Sequence, residues 1–67
     1  MDIGKNIKKR RGILKITQKD LAEMSGVALR TVRMVESSRG NPSLKVLNKI
    51  AVVLGMELRM VIRKPGE

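Results

Sequence analysis

Two arginines, a methionine and a serine recur at helical spacing in the middle of the chain. In the stretch GVALRTVRMVES, residues 26–37, a helix of about 3.6 residues per turn places Ala28, Val32 and Val35 on one side. The other side then carries, at the i, i+3, i+4, i+7 spacing, Arg30, Arg33, Met34 and Ser37. Arginine can donate to both acceptors of a guanine edge, and methionine can contact a thymine methyl group. This face is therefore either solvated or pressed against an anionic surface.

The composition favours binding over catalysis. The 67 residues include 15 lysines and arginines against 6 acidic residues, a net charge of +9. Such an excess favours a polyanion, most often nucleic acid or an anionic membrane, over charge that only aids solubility. The chain has no histidine and no cysteine, so the commonest general base and the usual zinc and haem ligands are missing. We expect neither an enzyme nor a cofactor or metal site.

Other absences in the sequence narrow the partner. No residue is aromatic, which argues against single-strand binders and RNA-recognition sheets that stack bases on aromatic rings. No apolar run approaches the ~18 residues that span a bilayer, and the N-terminus lacks a signal-peptide pattern. A membrane-active peptide from residues 3–16 is the weaker alternative, because its basic and apolar residues do not segregate. We expect a cytoplasmic, prokaryotic or phage-type protein, associated with the nucleoid and not with a membrane.

Turn signals divide the chain into short helices. The pattern predicts helices over about residues 3–14, 17–25, 28–37 and 43–54. Thr17 and Asp20 form a capping-box-like start for the second helix, and Gly26 ends it. Ala28 is a poor N-cap for the third. The fourth helix is expected to bury Leu44, Leu47, Ile50, Ala51 and Leu54.

The second and third helices have the spacing of a helix-turn-helix. Such a pair needs a small residue where the helices touch, a glycine at the turn and a β-branched residue on the second helix. Ala22, Gly26 and Val32 occupy those positions. Any antiparallel helix pair can show a helix–glycine–helix pattern, but the basic face and the flanking helices strengthen the signal.

The tail of the chain changes period. Leu58, Met60 and Ile62 alternate with mostly charged residues, which predicts one short β-strand. A lone strand leaves its backbone groups unpaired, so the simplest partner is the same strand of a second copy across a two-fold axis. We therefore expect an all-α bundle of about four to five short helices plus one C-terminal strand. Residues 1–55 would form the DNA-binding domain and residues 56–67 the tail for homodimerisation.

Many residues between positions 3 and 55 match a known pattern in register. They are Ile3, Gly4, Ile7, Arg11, Thr17, Gln18, Leu21, Ala22, Gly26, Val27, Thr31, Val32, Val35, Glu36, Asn41, Pro42, Ser43, Leu44, Leu47, Leu54 and Gly55. With them the chain resembles the lambda-repressor-like (XRE/Cro-type) DNA-binding domains.

That resemblance implies a lambda-repressor-like helical bundle that binds double-stranded DNA. It places at the bases of the major groove Ala28, Leu29, Arg30, Arg33 and Met34. It places along the DNA phosphates Thr17, Gln18, Thr31, Ser37, Ser38 and Arg39. It also implies a structural ion pair between Arg11 and Glu36.

Base readout is expected chiefly from Arg30 and Arg33, because each guanidinium can take both acceptors of a guanine. Leu29 is open between the core margin and a groove contact, and the run 8–11 is open between solvent and phosphate. Family members often carry glutamines and serines at positions 28–30, so the operator sequence does not carry over.

The tail adds a second resemblance. A domain of this type that ends in a short strand after LGMEL, residues 54–58, is similar to the HipB-like antitoxins that pair with HipA-like kinase toxins. It implies operon autorepression and a surface that binds the toxin. The sequence thus favours a dimeric autorepressor on a near-palindromic operator with half-sites ~10 bp apart, or a multiple of that. The alternative is an antitoxin that mainly neutralises a kinase-type toxin.

Overall fold

The computed structural model describes residues 2–62 and residue 66. Within that part of the chain there are four α-helices and no β-strand. The helices are α1 (Ile3–Ile13), α2 (Gln18–Ser25), α3 (Leu29–Glu36) and α4 (Leu44–Val53). No helix among the described residues is both long and apolar enough to cross a bilayer. The all-helical class expected from the sequence is confirmed.

Side-chain caps explain where α2 and α4 begin. The Thr17 hydroxyl accepts from the Asp20 N–H at 3.0 Å, and the Asp20 carboxylate accepts from the Thr17 N–H at 2.8 Å, which completes the predicted capping box. The Ser43 hydroxyl accepts from the Val46 N–H at 3.1 Å. Helix α3 begins differently, because Ala28 offers no side-chain acceptor.

The turn between α2 and α3 is made by Gly26. Its φ is +73°, in the left-handed region, and its N–H donates to the carbonyl of Ala22 at 3.0 Å. A Cβ on Gly26 would meet no atom within 4 Å, so backbone conformation and not lack of space favours glycine here. The next residue, Val27, is buried. The two helices therefore form the helix-turn-helix that the sequence predicts.

The core lies between these two helices, α1 and α4. Its most enclosed side chains are Leu21, Val32, Ile50 and Leu54, each with an exposed fraction under 2%. The other buried apolar residues are Ile7, Ala22, Val27, Val35, Leu47 and Ala51. Leu44 was expected in this core and is instead 73% exposed. Periodicity gives the inward side of a helix but not how far the core extends along it, and Leu44 stands in the first turn of α4.

Helix α1 crosses the end of α3 at Gly4. A Cβ on this residue would lie 2.5 Å from the carbonyl oxygen of Val35 and 2.6 Å from that of Glu36. Both neighbours are backbone atoms of a packed helix and cannot rotate away. Glycine at position 4 thus sets how closely α1 approaches α3.

The tail leaves the helical body after α4. The Met56 N–H donates to the carbonyl of Ala51 at 2.8 Å, and its side chain packs against the core. Residues 56–62 form neither helix nor strand within the single chain. A strand requires a paired neighbour, and this segment has none in the described part of one protomer, so its pairing with a second copy stays a prediction. Residues 63–65 and 67 of the predicted tail lie outside the described residues.

Candidate nucleic-acid interface

One face of α3 combines two arginines with a shallow concave surface. This recognition surface is formed by Arg30, Arg33, Met34, Ser37 and Arg39. Arg30 and Arg33 are exposed, whereas Val32 and Val35 on the opposite side of α3 are buried in the core. Among the residues that the structure describes, no acidic one lines this surface. The buried side fixes the helix to the body and leaves the two guanidinium groups turned outward.

The start of α3 belongs to a neighbouring groove. Ala28 and Leu29 line it together with Lys19 and Glu23 of α2. Ala28 is exposed, whereas Leu29 is half-buried and packs against the core. Contact of Leu29 with a DNA base stays a prediction. The five residues expected at DNA bases are therefore spread over two adjacent surfaces.

A two-point ion pair joins α1 to the end of α3. Arg11 Nε lies 2.7 Å from Glu36 Oε2, and Arg11 Nη2 donates to Glu36 Oε1 at 3.0 Å. Arg11 Nη1 also donates to the carbonyl of Ile16 at 2.9 Å. The hydrogen bonds from Arg11 to the Glu36 carboxylate raise the pKa of Arg11 above its ordinary value. The pair implied by the family resemblance is thus present.

The same carboxylate also holds α2. Gln18, the first residue of that helix, donates from Nε2 to Glu36 Oε1 at 3.1 Å. Glu36 therefore ties together the ends of three helices, and it fixes the side chain of Gln18 beside the N-terminus of α2. The adjacent Thr17 is exposed and accepts the capping bond from Asp20, whereas Thr31 is half-buried.

The loop after α3 is anchored to Met34. The N–H of Arg39 and the hydroxyl of Ser37 both donate to the Met34 carbonyl, each at 3.0 Å. Gly40, with φ +69°, lies so close that an added Cβ would be 2.6 Å from the Met34 sulfur. Met34 is consequently half-buried under the loop, and only part of its side chain faces outward.

Ser38 links that loop to the start of α1. Its hydroxyl donates to Asp2 Oδ1 at 3.1 Å, and Asp2 also caps α1 by accepting from the Lys5 N–H at 3.0 Å. The Lys5 N–H and then the Ser38 hydroxyl hold the pKa of Asp2 below its ordinary value. The Ser37 and Ser38 protons are both engaged within the chain, whereas Arg39 is exposed and supplies a cationic donor in this loop.

Arg10 has a structural contact that the sequence reasoning missed. Its Nε donates to the carbonyl of Leu54, the C-cap of α4, at 2.9 Å. A cation favours the negative end of a helix dipole, but the sequence does not show which helix end lies opposite. Arg10 and Arg11 thus serve the fold, whereas Lys8 and Lys9 of the same basic run are exposed.

Comparison with known proteins agrees with this geometry. Residues 7–61 match the family model described as helix-turn-helix. The chain therefore belongs to the helix-turn-helix family, and the resemblance to lambda-repressor-like (XRE/Cro-type) domains is confirmed. An uncharacterized HTH-type transcriptional regulator from Methanocaldococcus jannaschii is 38% identical over 48 residues, which cover 72% of this chain and 73% of that protein. No solved structure matches the chain.

Proposed function

We propose that this protein is a sequence-specific transcriptional regulator that inserts α3 into the major groove of double-stranded DNA. The observation that carries the proposal is the recognition surface, where exposed Arg30 and Arg33 lie together and no acidic residue of the described part of the chain joins the lining. A major groove admits an α-helix, and its base edges present the acceptors that arginine binds. Membership of the helix-turn-helix family supports the same conclusion.

Base readout falls mainly to Arg30 and Arg33. Each can form a bidentate pair with guanine, which discriminates one base pair from the others. Met34 has only its outward part available, for a thymine methyl group, because Gly40 covers the rest. Ala28 and Leu29, which line the protein groove between α2 and α3, are secondary candidates for contact with the DNA bases.

Phosphate contacts position the protein on the duplex and carry no base specificity. Arg39 and Gln18 are the main candidates, because one is exposed beside α3 and the other is held by Glu36 at the start of α2. Thr17 lies at the cap of the same helix. The remaining candidates for contact with the phosphates are Thr31, Ser37 and Ser38. The two serine hydroxyls would exchange their present acceptors, the Met34 carbonyl and Asp2, for a phosphate oxygen.

The regulator acts as a homodimer whose tails pair through Leu58, Met60 and Ile62. All three side chains are exposed in the single chain, which supports the idea that a second copy covers them. A two-fold dimer binds a near-palindromic operator with half-sites about one helical turn, ~10 bp, apart or a multiple of it. Its own promoter is the proposed target, which makes the protein an autorepressor.

Binding to DNA from the region upstream of its own gene tests this function. The comparison duplex has the same base composition in scrambled order, and both are titrated at several salt concentrations. A preference for the native duplex that persists at moderate salt supports base readout. Equal binding to both that falls steeply with salt means phosphate neutralisation only, and it contradicts the proposal.

An antitoxin role is the second candidate function. The LGMEL resemblance and the exposed apolar residues that follow it, Met60, Val61 and Ile62, favour it. The partner would be a HipA-like kinase toxin encoded next to this protein. Co-expression with the neighbouring gene tests the idea: a stable complex with a kinase-type product supports it, and purification of this protein alone argues against it.

A further inference from the structure

An apolar groove lies between α1, α4 and the start of the tail. It has a volume of about 170 Å³, and its apolar lining consists of Ile3, Ile7, Leu47, Ala51, Met56 and Leu58. It shares no residue with the recognition surface. Ile3 is 36% exposed and Leu58 is 42% exposed, so apolar side chains of this groove are open to solvent. The polar residues of its lining are Asn6 and Glu57, both exposed.

The tail leaves the groove immediately after Leu58. Met60 is 99% exposed, Val61 80% and Ile62 96%. In an extended chain, alternate residues share a face, so a tail that pairs as a strand would present Leu58, Met60 and Ile62 on one side. The chain therefore carries an apolar groove and, directly after it, an apolar segment that does not fill it.

Pairing of two tails alone does not make a stable dimer. A two-stranded ribbon is at best marginally stable in water, and it needs packing against a helix or further strands. The paired tails consequently require an apolar surface of the helical body. The groove between α1 and α4 is adjacent to the point where the tail begins.

The register of the paired tails decides which residue reaches the groove. Only the antiparallel register that sets Met60 opposite its own copy pairs these three apolar residues solely with one another. The register shifted by two residues would pair Ile62 with Met56, whose side chain is already packed against the core. The register centred on Met60 sets the partner subunit's Ile62 opposite Leu58, with Cβ atoms roughly 4.5–5.5 Å apart. Leu58 lines the groove, so the partner subunit's Ile62 arrives at its rim.

We propose that this groove binds the side chain of the partner subunit's Ile62. Each tail then crosses the two-fold axis and covers the groove of the other copy. The inference rests on the dimer in the proposed function and adds the surface that holds it. The interface is isologous, because the same groove and the same tail contribute twice. The chain's own Ile62 is not the occupant, since it is 96% exposed where the tail leaves the groove.

Sedimentation equilibrium of the full chain over a dilution series tests this interface. Ile3→Asp places a charge on the rim of the groove, and an aspartate suits the first turn of α1. We expect this variant to weaken dimerisation at least about tenfold, because the partner subunit's Ile62, buried in the dimer, then faces the new carboxylate. Ile13→Asp, on the same helix and 60% exposed, is the matched control and changes dimerisation by less than about twofold.

The possible results separate the groove from the dimer itself. An Ile3→Asp protein that dimerises like the wild type contradicts the proposal that the groove is part of the interface, but it is compatible with a dimer formed by the paired tails. A wild-type protein that remains monomeric contradicts the dimer of the proposed function and, with it, the groove interface. Binding of one protomer to a DNA half-site is independent of both results. Circular dichroism verifies the fold of each variant. Ile62→Ala, compared with Val61→Ala, repeats the test from the other side without touching the core, and equal effects of the two variants also overturn the proposal.

Introduced cysteines distinguish the two tails that could fill the groove. The chain has no cysteine, so Ile3→Cys with Ile62→Cys supplies the only thiols. After mild oxidation, a covalent dimer on a non-reducing gel supports occupation by the partner's tail. A disulfide within one chain shows that the chain's own tail folds back, and it overturns the proposal.

Discussion

Arg11 and Glu36 meet through two hydrogen bonds, at 2.7 and 3.0 Å, although 25 positions separate them in the sequence. The Arg11 side chain is 16% exposed and that of Glu36 only 3%. This pair fastens α1 to the end of the helix that presents the recognition surface. Because Glu36 also accepts from Gln18, one carboxylate determines how three helix ends are arranged.

Glu36→Gln should destabilise the fold by about 3 kcal/mol, because it leaves the enclosed guanidinium of Arg11 without a counter-charge. The double variant Arg11→Met with Glu36→Leu should lose less unfolding free energy, since no uncompensated charge remains. Urea unfolding followed by circular dichroism measures both. A loss below about 1 kcal/mol for Glu36→Gln would place the pair among ordinary surface ion pairs and contradict this assignment.

Gly4→Ala and Gly12→Ala should have opposite effects, although both change a glycine of α1. At position 4 the new methyl group would stand 2.5 Å from a backbone oxygen of α3, and such overpacking costs about 1–3 kcal/mol. At position 12 an added Cβ would contact no neighbouring atom within 4 Å, so alanine should stabilise the helix by about 0.5–1 kcal/mol. Thermal unfolding of the two variants measures the difference. A stable Gly4→Ala protein would mean that α1 can move away from α3.

Local signals in the sequence predict most of the fold. The Thr17–Asp20 capping box and Gly26 mark both ends of α2, because capping and left-handed turns depend on residues close in sequence. The recognition face of α3 follows from helical period, since Arg30 and Arg33 lie opposite the buried Val32 and Val35.

Contacts between distant segments could not be predicted in the same way. The donation from Ser38 to Asp2, 36 positions away, depends on where the chain returns in space. The same applies to Leu44, whose exposure reflects the limit of the core and not the period of its helix. Such packing decides which polar groups of the proposed DNA interface remain free, so the sequence predicts the candidate site more coarsely than the helices.

The capping box should make stability depend on pH. The N–H and then the hydroxyl of Thr17 hold the pKa of Asp20 below its ordinary value. The folded state therefore binds its proton less readily than the unfolded state, so this stabilisation is present above pH ~4, the unfolded pKa, and is lost as pH falls through the folded pKa.

Asp20→Ala accordingly lowers Tm at neutral pH, and its difference from the wild type shrinks as the medium becomes acidic. Glu23→Ala on the same helix is the control, because within the described residues Glu23 forms no side-chain hydrogen bond or ion pair. Melting curves recorded from neutral pH down to below the unfolded pKa of an aspartate, ~4, provide the measurement. A Tm difference for Asp20→Ala that is independent of pH would assign the effect to helix propensity.

The arginines proposed to read bases and the arginine proposed to bind phosphate should differ in how their loss affects specificity. Arg30→Ala and Arg33→Ala should each cost about 1–3 kcal/mol on the native operator and relax the preference at the contacted base pair. The reason is geometric: without the guanidinium, the groove acceptors of the correct and the wrong base are equally unbound. Binding to a set of duplexes with single base-pair changes measures the loss position by position.

Arg39→Ala should instead weaken binding to every duplex by a similar factor, because a phosphate contact is the same at each sequence. It should also reduce the slope of log affinity against log salt by about 1, since one fewer counterion is released. Lys49→Ala, which removes the same charge from an exposed position on α4 outside the recognition surface, should change that slope less. If Arg39→Ala changes which base is preferred, then the loop after α3 enters the groove, and Arg39 belongs with Arg30 and Arg33 among the residues that read sequence.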